Sequence, residues 1–440
     1  MQRNPPMPHS AFAPFTDPQA VHALLRTHVQ EFFGTPLELL GCDVLHAWRK
    51  TYEDPASWDK SYMNVCYRLN LRARAPALMH GTAFYHHRGA PAQAAHGVPL
   101  ATLQVAGVDL ALRRFPDDPG LPQLALLADT AKLFEFVPTT MLPELALVRE
   151  VKLEVVNYRP GERCTLRYDI ALKGRRGSDT PRSITLFAKT YKDAAGASVH
   201  GHLLELYSRG ALYPRVRVAE PLGYDAATRT VWQRGAQGRP AAQLCGTGEQ
   251  DVAVRAMARS LSGLHAAELS YERVILRELL VSDTRKRANK LGAAFEPLAE
   301  SLQQTVEQCE QQRHALPVGS AALLHGDAHI NQFLIDDGEA VMFDFDELTS
   351  GDAEHDLANF IISLQLDTPM GTEQRAIESF LHEYREHTSR GVDAALLTWH
   401  YRLQLISKAY RAFWRQAPHA QATVERAVAL ASATVPVWLQ

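Results

Sequence analysis

Residues 324–335 read LHGDAHINQFLI, and residues 341–346 read VMFDFD. Between them stands the turn Asp336-Asp337-Gly338. Two short apolar runs on either side of Asp-Gly are a strong signal for a β-hairpin. We therefore predict a polar loop that leads into paired strands at residues 332–335 and 340–343.

The polar loop and the far end of the hairpin each contribute a carboxylate, Asp327 and Asp344. Transfer of a phosphoryl group needs such a pair, because one carboxylate accepts the proton of the acceptor hydroxyl and the other holds the Mg²⁺ that bridges the nucleotide phosphates. Kinase catalytic loops read H-R-D-x-x-x-x-N. His325-Gly326-Asp327 follows this order with Gln332 in the last place. A solvated surface turn explains a single aspartate, but not the whole ordered pattern.

The combination of His325-Gly326-Asp327, His329 and Asp344 resembles the aminoglycoside phosphotransferase and choline kinase-like family, whose signature is H-G-D-x-H-x-x-N before a hairpin that ends in I-D-[FW]. Residues 351–358, GDAEHDLA, continue the resemblance. It implies a kinase that uses ATP and Mg²⁺ and acts on an alcohol group. The family usually has Asn where this chain has Gln332. The maltokinase-like branch, which phosphorylates sugars, commonly has Gln there.

Each residue of this motif receives a predicted role. We predict that Asp327 is the catalytic residue and that His325 braces its loop. Gln332 and Asp344 are the predicted metal ligands, and Asn331, one position earlier, is the alternative to Gln332. The residues assigned to loop support are His329, Asp346 and Asp356, and N-capping of the following apolar helix is the alternative role for Asp356.

The predicted nucleotide-binding residues lie upstream of the motif. An alternating strand at residues 183–190 carries Lys189, and a helix at residues 200–208 carries Glu205. In kinases a strand Lys of this kind reaches the nucleotide phosphates and pairs with a helix Glu. The turn at residues 159–163 has Gly161 where a type II turn prefers glycine, and we assign Gly161 and Arg163 to the nucleotide as well. A single glycine is a weaker signal than G-x-G-x-x-G.

The order of strand and helix patterns predicts an α+β fold with a protein-kinase-like, two-lobed architecture. We expect an N-terminal α+β cap domain at residues 1–145, a β-rich N-lobe at 146–234 and a helical C-lobe at 235–440. Residues 234–240, RGAQGRP, have the composition of a hinge. Residues 1–15 are predicted to be a flexible tail, and residues 277–302 a helix.

The acceptor is predicted to be a small molecule, a sugar or a similar polyol. A net charge of −3 and few acidic residues near the C-terminus disfavour a polycationic acceptor. Aromatic residues on the penultimate helix, among them Trp399 and Tyr401, are either core residues or a stacking surface for a sugar ring. Glu383 is a third candidate for contact with the acceptor.

The composition bounds the class of protein. Hydrophobic residues make up 46% and charged residues 22% of the chain, which are ordinary globular values. The small net charge argues against nucleic-acid and membrane partners. The scattered cysteines predict reduced thiols rather than disulfides or a zinc site. Since neither an apolar N-terminal segment nor a long apolar run is present, we predict a soluble, cytoplasmic protein.

Four alternatives stay open at this point. Asp344-Phe345-Asp346 also resembles the nucleophile loop of a haloacid-dehalogenase-type phosphatase, but the metal loop of that fold cannot follow so soon in sequence, since a parallel crossover takes about a dozen residues. A kinase-shaped binding module without turnover is a non-enzymatic alternative. A kinase of the aminoglycoside or choline type remains possible. A zinc hydrolase on His325 and His329 lacks the required glutamate.

Overall fold

The polypeptide has a mixed α+β structure, described by a computed structural model. The described residues are 11–50, 55–90, 99–133, 137, 147–173, 182–269, 271, 273–317, 321–369, 371–415 and 419–433. The chain divides into two compact units. Unit 1 comprises residues 1–197, 222–233 and 414–417, and unit 2 comprises residues 198–221, 234–413 and 418–440.

Unit 1 begins with two short helices and a five-stranded antiparallel sheet. The side chain of Asp17 caps the first helix by accepting the backbone N–H groups of Gln19 and Ala20, and Gly34 ends the second helix at φ +67°. The strand order is β1-β2-β3-β5-β4. The elements are α1 (Pro18–Arg26), α2 (Val29–Phe33), β1 (Leu39–Lys50), β2 (Tyr62–Leu71), β3 (Ala77–Tyr85), β4 (Ala101–Val105) and β5 (Val108–Arg114).

A second five-stranded sheet, with order β10-β11-β8-β7-β6, completes unit 1. In its interior strand β7, buried and half-buried residues alternate along the whole length, as expected when one sheet face lies against a core. The elements from this part of the chain are α3 (Leu124–Leu127), β6 (Val148–Arg159), β7 (Arg163–Leu172), β8 (Arg182–Tyr191), α4 (Ala195–Ser208), β9 (Arg217–Val218), β10 (Pro221–Asp225) and β11 (Thr230–Arg234).

Unit 2 is mostly helical and holds two small sheets. One of them has the order β12-β14-β15-β9, and the other pairs β13 with β16. The remaining elements are β12 (Arg239–Pro240), α5 (Ala241–Leu244), α6 (Gln250–His265), α7 (Arg277–Ala294), α8 (Ala299–Gln312), β13 (Ala322–Leu324), β14 (Phe333–Asp336), β15 (Glu339–Met342), β16 (Thr349–Gly351), α9 (Glu354–Asp367), α10 (Glu373–His387), α11 (Ala394–Trp414) and α12 (Ala420–Ser432).

The predicted hairpin is present in unit 2. Phe333 pairs with Met342 and Asp336 with Glu339, so the strands lie within one residue of the predicted positions. Asp337 and Gly338 both have positive φ, +49° and +76°, which is the geometry that Asp-Gly turns favour between antiparallel strands. The hairpin prediction is confirmed.

The predicted fold class is also confirmed, with a β-rich N-terminal region and a helical C-terminal region. Two local predictions were wrong. Residues 277–302 form two helices rather than one, because a short 3₁₀ turn at Glu296–Leu298, with Pro297 in its first turn, separates α7 from α8. Residues 1–10 lie outside the described part, but Phe12 and Phe15 of the predicted tail are buried in the core of unit 1. The predicted domain boundaries stay a prediction.

The five cysteines are free thiols, as their scattered positions predicted, and all of them are buried in the structure. Burial raises the pKa of each thiol, for example that of Cys245 to about 11, so none is poised as a nucleophile. No helix among the described residues is both long and apolar enough to cross a membrane.

Candidate functional site

The Asp327 loop, residues 325–332, connects β13 to the hairpin. Its backbone turns sharply at Gly326, which has φ +83°. A side chain at this position would overlap the carbonyl oxygen of Glu347. Only glycine meets both conditions, so the second letter of the motif is fixed by backbone geometry.

A buried carboxylate holds the start of this loop. The backbone N–H groups of His325 and Gly326 donate to Asp356 over 2.6 and 3.0 Å. His265 donates to the same carboxylate from Nε2 over 3.3 Å, and its Nδ1 lies 2.7 Å from the hydroxyl oxygen of Tyr384. Burial acts to raise the pKa of Asp356, but the hydrogen bond and charge of His265 outweigh it, and the pKa lies below its ordinary value. Asp356 is therefore a carboxylate that anchors the loop. The N-cap position of α9 belongs to Ala353.

His325 joins the loop to the end of the hairpin. Its ring donates from Nε2 to the carbonyl oxygen of Phe343 over 3.0 Å and packs against Phe345 with centroids 5.0 Å apart. The side chain is buried, so it is in place to brace the loop and not to contact an acceptor. No group of three or more His, Cys, Asp or Glu side chains among the described residues could hold a metal ion, which gives the zinc alternative no support.

Four polar side chains gather where the loop meets the hairpin. The amide nitrogen of Gln332 lies 3.3 Å from a carboxylate oxygen of Asp344 and 3.2 Å from Nε2 of His329. That same nitrogen of His329 lies 3.9 Å from the carboxylate of Asp327, which is 43% exposed. Asn331 is exposed, and its backbone N–H donates to Nδ1 of His329. Of the two amides left open by the sequence, Gln332 is therefore the one beside Asp344.

The cluster fits a magnesium ion once the Gln332 amide is turned. Burial lowers the pKa of His329, although the nearby Asp327 carboxylate acts in the opposite direction, so the ring is neutral at neutral pH. Because Nδ1 of His329 accepts the backbone N–H of Asn331, the proton of the neutral ring is on Nε2. Nε2 can therefore donate to the amide oxygen of Gln332. That orientation sets a carbonyl oxygen beside the Asp344 carboxylate. Mg²⁺ is commonly held by one or two such oxygens together with nucleotide phosphates.

Asp344 has an unusual backbone conformation, with φ +67° and ψ +56°. Aspartate tolerates this left-handed region better than most residues, yet the conformation costs about 1–2 kcal/mol. The residue starts the short 3₁₀ turn Phe345–Glu347, which also contains Asp346. Backbone strain of this kind is typical of residues in active sites and ligand-binding sites.

The predicted nucleotide-binding residues lie in unit 1, except for Glu205. Lys189 pairs with Thr165 across the sheet, and its ammonium group lies 5.8 Å from the ring centroid of Tyr191. Gly161 has φ +72° in the Gly161 turn, residues 159–163, and Arg163 begins β7.

Glu205, on α4, contacts Arg209 over 3.0 Å and Tyr271 over 3.4 Å within unit 2. The pairing of Lys189 with Glu205 stays a prediction.

The three predicted acceptor residues have other partners in unit 2. Trp399 and Tyr401 are each 1% exposed, and the Trp399 indole donates to the carbonyl oxygen of Cys309 over 2.8 Å. They are core residues here, the alternative that the sequence left open for this helix. Glu383 is 12% exposed and pairs with Arg259 over 2.9 Å. None of the three presents a free surface to a ligand, so we do not assign the acceptor site to them.

Asp352, which would belong to the metal loop of the phosphatase alternative, is also paired with other side chains. Its carboxylate accepts two hydrogen bonds from Arg277, each 2.8 Å long, and one from His400 of 3.0 Å. These hydrogen bonds tie α7 and α11 to the segment that leads into α9, so the carboxylate of Asp352 has a structural role.

Two further residues that support the loop were missed in the sequence. Ser363 accepts the backbone N–H of Ile330 over 3.2 Å, and the buried ring of His355 bonds the Gly326 backbone. Both lie on α9 with Asp356, and Ser363 follows Asp356 by two helical turns on one face. Helical spacing from Asp356 was the signal that could have found Ser363. For His355 we see no such signal.

Comparison with protein families gives one clear match. Residues 175–396, half of the 440-residue chain, match the model described as the phosphotransferase enzyme family, APH. No curated protein matches the chain.

Among solved structures, the chain is similar to aminoglycoside-3'-phosphotransferase of type VIII, with 20% identity, a TM-score of 0.42, and coverage of 58% of this chain and 93% of that one. It is similar to a choline/ethanolamine kinase family protein from Mesorhizobium loti, with 13% identity, a TM-score of 0.45, and coverage of 70% and 91%. A third is choline kinase LicA from Streptococcus pneumoniae, with 11% identity, a TM-score of 0.46, and coverage of 67% and 98%.

Likenesses this distant carry no conclusion about activity, whereas the family match confirms the resemblance drawn from the motif. The maltokinase-like branch stays a prediction. The chain belongs to the phosphotransferase enzyme family.

Proposed function

We propose that the chain transfers the γ-phosphoryl group of ATP to a hydroxyl of a sugar or a similar polyol, with Mg²⁺ as cofactor. The observation that carries the proposal is the cluster in which the Gln332 amide lies 3.3 Å from Asp344 beside the partly exposed carboxylate of Asp327. This is the pair of functions that phosphoryl transfer needs, a proton acceptor and a metal-binding group, at the end of one hairpin.

The chain's own residues supply positioning and proton transfer. Asp327 accepts a hydrogen bond from the acceptor hydroxyl and takes its proton as the new O–P bond forms. His325 and Asp356 hold the Asp327 loop in place, which keeps that carboxylate in a fixed orientation. Gln332 and Asp344 would hold Mg²⁺, which neutralises charge on the phosphates. Lys189, with Glu205 as its proposed partner, would bind the α- and β-phosphates.

The choice of a neutral acceptor rests on charge. Recognition of a polycation uses several unpaired carboxylates. Glu383 is neutralised by Arg259, and Asp367 is paired with Lys408 over 2.7 Å. The overall charge of −3 adds little attraction for a cation. Gln332 at the metal position also follows the pattern of the sugar-phosphorylating branch that the motif resembles.

A panel of acceptors tests the proposal. ADP release from ATP and Mg²⁺ is measured with monosaccharides, disaccharides, amino sugars, choline and aminoglycosides. We expect turnover with at least one sugar. Turnover confined to choline or an aminoglycoside would contradict the acceptor class and leave the kinase chemistry standing. Nucleotide binding without turnover on any acceptor would favour a binding module.

The metal ligand is tested separately. We expect Gln332→Ala to weaken the Mg²⁺-dependent binding of ATP by about tenfold, within the range found when a group that supports a metal site is removed. Asn331→Ala is the matched control, since that exposed side chain should leave Mg²⁺-dependent binding unchanged. The opposite result would transfer the ligand role to Asn331.

A further inference from the structure

One segment of unit 1 contacts both the Gly161 turn and the end of strand β8, which carries Lys189. The proposed function assigns both to the nucleotide. This connecting segment, residues 116–127, leads from β5 into α3. Its leucines 121, 124 and 127 are buried in one cluster with Leu166 of β7 and Ala188 of β8. The segment is therefore packed into the core of the second sheet and is not a loose linker.

The first contact is made by Asp118, which is 5% exposed. Its carboxylate accepts the backbone N–H of Gly161 over 2.8 Å and the hydroxyl of Tyr158 over 2.8 Å. The other carboxylate oxygen accepts the N–H of Gly120 over 2.9 Å. A Cβ on Gly120 would lie 2.6 Å from the Cα of Gly161, so the two backbones touch. A buried, charge-assisted set of hydrogen bonds thus holds the Gly161 turn.

The second contact is made by Gln123, which is 8% exposed. Its amide nitrogen donates to the hydroxyl of Thr190 over 2.7 Å and to the carbonyl oxygen of Tyr191 over 2.9 Å. Its amide oxygen accepts from Arg229 over 2.9 Å. Thr190 and Tyr191 directly follow Lys189, so this amide holds the end of the strand that carries the lysine.

The contact with Asp118 also changes the role of Gly161. In a phosphate-binding loop the backbone N–H groups point at the phosphates. The N–H of Gly161 points instead at Asp118. Gly161 supplies the positive φ that shapes the turn, and Asp118 fixes that shape from outside the turn. The first sheet also contacts the connecting segment, because His80 of β3 donates to the carbonyl oxygen of Asp117 over 2.7 Å.

We propose that Asp118 and Gln123 are positioning residues that set the Gly161 turn and the Lys189 strand for the phosphates of a nucleoside triphosphate. The inference rests on the proposed function. A turn that is not held before binding must be ordered when the nucleotide binds, and this ordering reduces affinity. The loss should fall on the phosphates and spare the base and ribose, because the Gly161 turn and Lys189 are assigned to the phosphates in the proposed function.

Two probes on the full chain separate these effects. The affinity for AMP-PNP with Mg²⁺ and the affinity for adenosine are measured for the natural chain and for Asp118→Asn. We expect AMP-PNP binding to weaken by about tenfold, the effect of one lost charge-assisted hydrogen bond, with adenosine binding within about twofold. Tyr158→Phe removes one hydroxyl and keeps the ring, so it should weaken AMP-PNP binding by about threefold.

Asp129→Asn is the matched control. Its carboxylate is 42% exposed and caps a nearby 3₁₀ turn, so neither affinity should change. Unchanged AMP-PNP binding in both Asp118→Asn and Tyr158→Phe overturns the proposal. An equal loss for AMP-PNP and adenosine overturns it too, because that is a general structural defect. If Asp118→Asn does not fold, Tyr158→Phe decides. A natural chain that binds no AMP-PNP with Mg²⁺ would refute the proposed function itself.

Discussion

The Asp327 loop and the Gly161 turn are held by the same kind of contact, in two different units of the chain. In each, a glycine with positive φ donates its backbone N–H to a buried carboxylate that is distant in sequence. Asp356 serves Gly326, and Asp118 serves Gly161. Charge-assisted hydrogen bonds to backbone are short and directional, so one carboxylate can fix a loop that has little regular structure of its own.

The two loops differ in how much lies around them. Asp356 sits in α9, fully buried, and is itself held by His265, while Gly326 has no room for a side chain. Asp118 lies in a segment without regular structure, and a Cβ added to Gly161 would meet only open space. The same kind of contact therefore holds a loop that excludes a side chain at Gly326 and a turn that has room for one at Gly161.

The largest effect is expected from Asp356→Ala. The change leaves two backbone N–H groups and the His265 ring without their acceptor in the core of unit 2. We expect a loss of about 3–5 kcal/mol in the free energy of unfolding, the usual result of removing one partner of a buried pair. Urea denaturation measures it.

The control is Asp367→Ala at the other end of α9. It removes only a partly exposed ion pair with Lys408 and should cost less than about 1 kcal/mol. Equal losses for the two variants would mean that Asp356 is not the anchor of the loop.

The next effect compares the glycines directly. Gly326→Ala forces a Cβ against the Glu347 carbonyl and also strains the backbone, so we expect a loss of about 3 kcal/mol. Gly161→Ala meets no neighbour and should lose only the backbone preference, about 1 kcal/mol. The same denaturation measurement applies, and similar losses would remove the distinction drawn between the two loops.

Acid should lower the free energy of unfolding through one buried histidine near each of the two loops. Burial first, and then the charge of His400, lower the pKa of His355 from 6.5 to about 4, even though Asp356 and the Gly326 backbone act against this. Because the folded-state pKa is the lower one, the stabilisation is complete above pH 6.5 and is lost as pH falls toward 4. One such group accounts for roughly 3 kcal/mol over that range.

A second buried histidine with a lowered pKa, His46, is affected by the arginines at both ends of the Gly161 turn. Burial and the charges of Arg159, Arg415 and Arg163 lower the pKa of His46 from 6.5 to about 4. We expect His355→Gln and His46→Gln each to flatten the decline in unfolding free energy between pH 6.5 and 4. A decline as steep as that of the natural chain in His355→Gln would assign the acid sensitivity elsewhere.

Local sequence patterns predicted the hairpin and its carboxylates, because Asp-Gly turns and short apolar strands act within a few residues. The motif also indicated Asp356, because the resemblance to the family continues through residues 351–358. Asp118 and Gln123 gave no such signal. Their partners, Gly161 and Thr190, are remote in sequence, and a carboxylate in a Pro-Asp-Asp-Pro-Gly turn is most simply a solvated turn residue.

The aromatic residues of α11 show a second limit of the sequence. A group of Trp and Tyr side chains on one helix fits a core and a sugar-binding surface equally well, because both need apolar rings. Only tertiary packing distinguishes the two roles. Here the Trp399 indole is buried and donates a hydrogen bond to the backbone carbonyl oxygen of Cys309. The acceptor-binding residues are therefore not assigned by either route.

In the proposed function Asp327 is the proton acceptor in phosphoryl transfer, and ADP release by Asp327→Asn measures this role. The variant keeps the shape of the side chain and removes the base. With the sugar found in the acceptor panel, we expect turnover to fall by at least about a hundredfold, while the affinity for ATP with Mg²⁺ changes by no more than about twofold. Asp337→Asn in the hairpin turn, where Asn is equally suited, is the matched control and should keep full turnover. Turnover by Asp327→Asn equal to that of the natural chain would contradict the account.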